Sequence, residues 1–144
     1  MSRPALVTLA LAVLTLAAPD LARAEDAPLT VAFEGLKTPA GALMVALYDA
    51  EASFDRGGKP LRALAVPVTG AAATARFELP AGRYGIKVFH DVDGDGRMGT
   101  NPFGIPTEPF AFSNNARGMM GPPKWAEAAF AFGPGAGAQT ITLD

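Results

Sequence analysis

Beyond residue 24 the hydrophobic and polar positions alternate with a period of two along much of the chain, the spacing of strands that turn one face inward. Leu29, Val31 and Phe33 alternate with Thr30, Ala32 and Glu34. Ala75, Phe77 and Leu79 alternate with Thr74, Arg76 and Glu78, and after the turn Pro80-Ala81-Gly82 the pattern resumes with Tyr84, Ile86 and Val88 as far as His90. From Ala42 to Tyr48 both sets are apolar, with Leu43, Val45 and Leu47 set against Ala42, Met44 and Ala46. That predicts a central strand covered on both sides. Leu64, Val66 and Val68 predict a further strand, which Pro67 assigns to an edge or a bulge. Ala128, Phe130 and Phe132 share one face, although Lys124 to Phe132 also suits a short helix, and Ile141 and Leu143 mark a last strand with Thr140 and Thr142 outward. No stretch sustains a 3.6-residue apolar period and no internal repeat is visible. Gly, Pro and Asp turns separate the segments, so the expected fold is all-β: an antiparallel β-sandwich of about seven strands with one long irregular loop.

The first 24 residues follow another pattern. Arg3 supplies a positive start, an uncharged run rich in Leu, Val and Ala extends from Ala5 to Ala18, Pro19 and Asp20 break it, and Ala22-Arg23-Ala24 supplies small residues at a cleavage site. The apolar run covers 14 residues, short of the ~20 that cross a bilayer as a helix. The expectation is a signal peptide over 1–24, cleaved to leave a single β-sandwich domain over 25–144. No second long apolar run follows, so the product is expected to be soluble, without a membrane span, and periplasmic or secreted.

Composition narrows the chemistry. Twelve Lys and Arg face 14 Asp and Glu, so no basic excess points to nucleic acid. The absence of Cys excludes disulfides, thiolate catalysis and thiolate zinc, and a single His excludes any one-chain site that needs two imidazoles. The 16 Gly and 13 Pro among 144 residues are too many for a helix bundle and suit short strands joined by turns.

The segment Asp91-Val92-Asp93-Gly94-Asp95-Gly96 places carboxylates at its first, third and fifth positions and glycine at its sixth. Hard cations such as calcium gather six to eight oxygens, and alternate side chains of a tight loop aim at one centre. Asp91, Asp93, Asp95 and the backbone carbonyl of Arg97 are therefore the candidate calcium ligands. Pro102 stands where an EF-hand has its bidentate Glu and Gly99 occupies the ninth position, so the motif is a calcium loop in a β setting rather than an EF-hand. Water, Thr100, Asn101 or Glu108 would supply further oxygens. The opposing reading is a solvated turn, since Asp-Gly pairs favour turns. Mutual repulsion of three neighbouring carboxylates weighs toward the ion. His90 is expected to be a hydrogen-bonded residue at a strand end rather than a ligand.

From Arg97 to Lys124, 28 residues contain five prolines yet also Phe103, Ile105, Phe110 and Phe112. Within them Phe112-Ser113-Asn114-Asn115-Ala116-Arg117-Gly118 concentrates two amides and a guanidinium. The succession Val88-Phe89-His90-Asp91, Asp93-Gly94-Asp95-Gly96, Thr100-Asn101, Phe103-Gly104-Ile105-Pro106, Phe112 to Gly118 and Gly121-Pro122-Pro123 resembles a family of small secreted bacterial proteins catalogued only as a domain of unknown function. That family commonly has Asp or Asn where this chain has Gly99. The resemblance implies a β-sandwich in the cell envelope, immunoglobulin- or prealbumin-like, and supplies no activity.

Two uses of the loop compete. Asn114, Asn115 and Arg117 either satisfy the backbone of an irregular segment or form a polar recognition patch over an apolar floor of Phe110, Phe112 and Trp125. The leading expectation is a non-catalytic, calcium-assisted module that binds a glycan, peptide or envelope protein. The alternative is a structural or accessory protein without a ligand. A hydrolase is the least favoured reading, because Ser53, Ser113 and the pair Glu108 and Glu127 carry no nucleophile or acid–base signature. Exposure of Phe110, Phe112 and Trp125 beside a groove would favour binding, and their burial the structural role.

Overall fold

The computed structural model describes residues 25–143, so the expected signal segment lies outside the described residues. Eight strands form two sheets: β1 (Ala27–Glu34), β2 (Ala42–Tyr48), β3 (Arg62–Pro67), β4 (Ala73–Leu79), β5 (Gly82–Asp91), β6 (Phe110–Phe112), β7 (Phe130–Phe132) and β8 (Ala138–Thr142). The first sheet runs in the order β4-β1-β8 and the second in the order β3-β2-β5-β6, while β7 pairs with the opening residues of β5. Every pairing is antiparallel except β1 with β8, which run in the same direction with Val31 opposite Gln139.

The sequence pattern explains the layers. Leu29, Val31 and Phe33 of β1 are at most 1% exposed and meet Leu43, Val45 and Leu47 of β2, at most 2% exposed, across the inner space. Ala75, Phe77 and Leu79 of β4 and Tyr84, Ile86 and Val88 of β5 complete the same core. The two sheets thus bury the faces that period-two alternation marks as apolar. As its proline indicates, β3 is an edge strand.

A second cluster sits on the opposite, outer face of the larger sheet. It joins Tyr48, Phe54, Phe112, Trp125, Ala128 and Ala129. Two short helices bring the rings there, α1 (Glu51–Arg56) carrying Phe54 and α2 (Trp125–Ala128) carrying Trp125. Phe54 lies edge-on to Tyr48 at 5.4 Å and to Trp125 at 5.7 Å between ring centroids. A Cβ at Gly85 would lie 3.0 Å from atoms of both Phe54 and Trp125, so glycine lets the rings settle on the β5 backbone.

Three features differ from the expectation. Helix α1 is too short to leave a helical period, and a single buried phenylalanine anchors it. The 97–124 segment is not irregular throughout: it contains β6, a bridge between Thr100 and Pro106, and a 3-10 turn at Ser113–Asn115. Both a helix and a strand occupy Lys124 to Phe132, because α2 ends at Ala128 and β7 begins at Phe130.

A candidate metal centre and an apolar cleft

The acidic turn grows out of the last residue of β5. Asp91 is 4% exposed, and its carboxylate gathers three consecutive amides: Gly94 and Asp95 donate to Oδ1 at 2.9 and 3.1 Å, and Gly96 donates to Oδ2 at 2.9 Å. Gly94 and Gly96 hold left-handed φ values of 75° and 76°, which bend the chain so that those N–H groups converge. Asp93 Oδ1 accepts from Asp95 N at 3.1 Å, and Asp95 Oδ1 accepts from Arg97 N at 2.7 Å. The turn is therefore organised by its own carboxylates.

One carboxylate oxygen from each of Asp91, Asp93 and Asp95 lies within 4.8 Å of the others. Carboxylates and peptide carbonyls are the donors a hard divalent cation takes, so this set fits calcium in kind. Glu108 contributes otherwise: Oε1 accepts from Val92 N at 3.0 Å and Oε2 from Gly99 N at 2.9 Å. It ties the two limbs of the turn together. Asn101 Oδ1 is occupied by Phe103 N and Ile105 N. His90 is 1% exposed with Nε2 2.7 Å from the Ala40 carbonyl oxygen, and so serves the strand end.

The loop residues divide. Asn114 and Asn115 adopt φ of 58° and 50°, a left-handed conformation asparagine tolerates better than most residues. Asn114 Nδ2 donates to the carbonyls of Glu127 and Ala129, while Asn115 donates to Thr140 O and accepts from Thr142 N. These amides fasten the 3-10 turn to α2 and β8. Ser113 is fully buried, accepting from Ile86 N at 2.8 Å and donating to Ala128 O at 2.6 Å. Glu127 accepts from the Lys124 amide as part of a helix cap.

Of the expected aromatic floor, Phe110 is 42% exposed, whereas Phe112 and Trp125 are each 8% exposed within the outer cluster. The expected floor is therefore split: Phe110 and Phe112 border a cleft, and Trp125 stands behind it. The cleft measures ≈ 1530 Å³ and lies over the outer face of the larger sheet. Strand register lays out its floor. Ala63, Ala46, Lys87 and Phe112 form one cross-strand row, and Ala65, Met44, Phe89 and Phe110 form the next. Met98, Ile105 and Met120 rise from the loop beside it, and Asn115 and Arg117 also line it. Ile105 is 59% and Met120 fully exposed.

Sequence reading by itself did not identify Met44, Lys87 and Phe89 as site residues. The signal was present, because Met44 belongs to the second apolar face of β2 and Lys87 interrupts the apolar run of β5. Burial holds the Lys87 ammonium below the ordinary lysine pKa, with Asp55 pulling the other way.

Residues 31–141 match the model of the DUF2141 family, described as an uncharacterized protein conserved in bacteria, and the chain belongs to that family. No curated protein and no solved structure matches it.

Proposed function

We propose that this DUF2141 member is a non-catalytic binding module of the periplasm or the secreted space, that the outer-face cleft takes its ligand, and that calcium on the acidic turn steadies one wall. The observation that carries this reading is the cleft: a folded chain leaves Phe110, Ile105 and Met120 exposed around a trough floored by Ala46, Met44 and Phe89. Apolar surface of this kind beside a concavity is what a ligand covers. Met98 and Ile105 belong to the segment leaving the acidic turn, so an ion held by Asp91, Asp93, Asp95 and the Arg97 carbonyl fixes their approach. When bound, the ion supplies charge neutralisation and a rigid turn, with no reaction step assigned to it.

Among a glycan, a peptide and an envelope protein, the lining favours whatever brings the most apolar surface, since most of its side chains are apolar. The non-catalytic reading is supported by how the polar candidates are used. Ser113 and His90 bond to backbone groups, and Glu108 and Glu127 close separate turns. Burial of Trp125 and the stapled Asn114 speak for the ligand-free alternative, and the exposed rim speaks against it.

Titration with a neutral solvatochromic dye tests the reading. Saturable one-to-one binding, abolished by Ala65→Trp at the exposed floor, is expected; absence of saturable binding overturns it. For the ion, a site of ~0.1 mM affinity at ~1 mM calcium adds ~1.4 kcal/mol to stability. Calcium should therefore raise the melting temperature over chelator, and the Asp93→Asn/Asp95→Asn variant should lose the difference. Equal melting with and without calcium removes the ion from the proposal.

A further inference from the structure

Lys87 is half-buried, and its surroundings are unusual for a cation. Nζ donates to the Phe54 carbonyl and sits 4.4 Å from the Phe54 ring centroid and 5.3 Å from that of Tyr48. Among the described residues no carboxylate lies within the 4.0 Å of an ion pair with it. Two aromatic faces, one carbonyl and the more distant charge of Asp55 offset part of the desolvation of an ammonium, and none of them is a carboxylate in direct contact with it. Lys87 nevertheless lines the cleft.

The cleft is also asymmetric along the strands. In the row of Lys87 stand Ala46 and Phe112, and just beyond Phe112 comes Asn115, which bonds to Thr142, another lining residue. The next row toward the acidic turn contains Ala65, Met44, Phe89 and Phe110, with no polar side chain among them. One end therefore carries charge and amide groups, and the other is hydrocarbon and thioether.

We propose that the ligand is a free long-chain carboxylate, its acyl tail lying on Met44, Ala65, Phe89 and Phe110 and its head group meeting Lys87. This rests on the reading of the cleft as the binding site. An extended peptide suits the apolar row less well, because each of its residues brings a donor and an acceptor that those side chains cannot satisfy. An acyl chain brings neither, and its anionic group matches Lys87 in the floor, with Arg117 a second cation on the lining. Methionine at the tail end adapts to a flexible chain.

Calorimetric titration of the purified protein with dodecanoate and dodecyltrimethylammonium below their micelle concentrations, and with 1-dodecanol below its solubility limit, tests the assignment. Dodecanoate should bind at least tenfold tighter than the alcohol and the quaternary amine weakest. Lys87→Gln should reduce dodecanoate affinity about tenfold and leave the alcohol unchanged. Ala65→Trp, placed on an exposed strand to spare the fold, should abolish both. Equal affinity for carboxylate and alcohol, or no effect of Lys87→Gln in a folded protein, overturns the head-group assignment while leaving the cleft as a binding site. Tighter binding of an apolar octapeptide than of dodecanoate overturns the ligand class alone. Failure of every ligand, together with failure of the neutral dye, overturns the binding-module reading as well.

Discussion

The two faces of the β2–β5 pair are both apolar in sequence, apart from Lys87 on the outer one, and meet different fates in the fold. On the inner face Leu43, Val45, Leu47, Ile86 and Val88 are sealed beneath the three-stranded sheet. On the outer face the aromatic cluster covers only the end near Tyr48 and Gly85, and the rows of Ala46 and Met44 open into the cleft. Hydrophobic patterning says that a face will be covered, and it does not say by what. Inside, the described residues supply the cover; outside, they leave the rows of Ala46 and Met44 open.

The largest expected contrast follows directly. Leu47→Ala should cost about 2–5 kcal/mol, because it leaves a cavity between packed sheets. Met44→Ala, three residues earlier on the other face and only half-buried, should cost about 1 kcal/mol. Chemical denaturation of the two variants measures both, and similar losses would mean that the outer face is sealed in solution. Next comes the boundary between the covered and open halves. Gly85→Ala must displace the Phe54 and Trp125 rings and should cost about 1–3 kcal/mol, with a shift in Trp125 fluorescence as the local readout. Unchanged stability and emission would show that the rings are loosely seated.

The smallest effect concerns the cation in the outer face. Burial lowers the Lys87 pKa in the folded state, so the unfolded chain binds that proton more tightly. The resulting destabilisation is complete while Lys87 is charged in both states, and it fades as pH rises through the folded-state pKa toward the ordinary lysine value. Relative to Lys87→Met, the wild-type protein should gain stability across that alkaline window. Tyr48 and Tyr84, whose pKa values burial raises, are common to both proteins. A stability difference independent of pH would place Lys87 in solvent.

The strands were legible because alternation records burial directly. Leu29, Val31 and Phe33, then Ala75, Phe77 and Leu79, then Tyr84, Ile86 and Val88 point inward as their spacing demands. The double apolar face of Ala42 to Tyr48 was legible as well, but as a strand covered on both sides, and the structure leaves its Met44 and Ala46 beside an opening. Less could be read where a single contact decides. Trp125 was expected on a ligand floor, yet it packs against Phe54, a residue some seventy positions away on a helix one and a half turns long. Asn114 and Asn115 offered one clue, since paired asparagines suit consecutive left-handed residues, but their partners on α2 and β8 follow from the tertiary fold. Proximity of the three Asp side chains was readable from spacing, while the use of Asp91 as a hub for three amides required the turn itself.

The same-direction pairing of β1 with β8 has a consequence in time. Among the described strands β1 comes first in the chain, and its second neighbour comes last. Until residues 138–142 exist, one flank of β1 presents unmatched peptide groups, an invitation to mispair with another chain. The β2–β5 ladder needs no such wait, so an order of assembly is written into the topology: that ladder of the broad sheet can form early, and the narrow sheet is locked only once residues 138–142 are made.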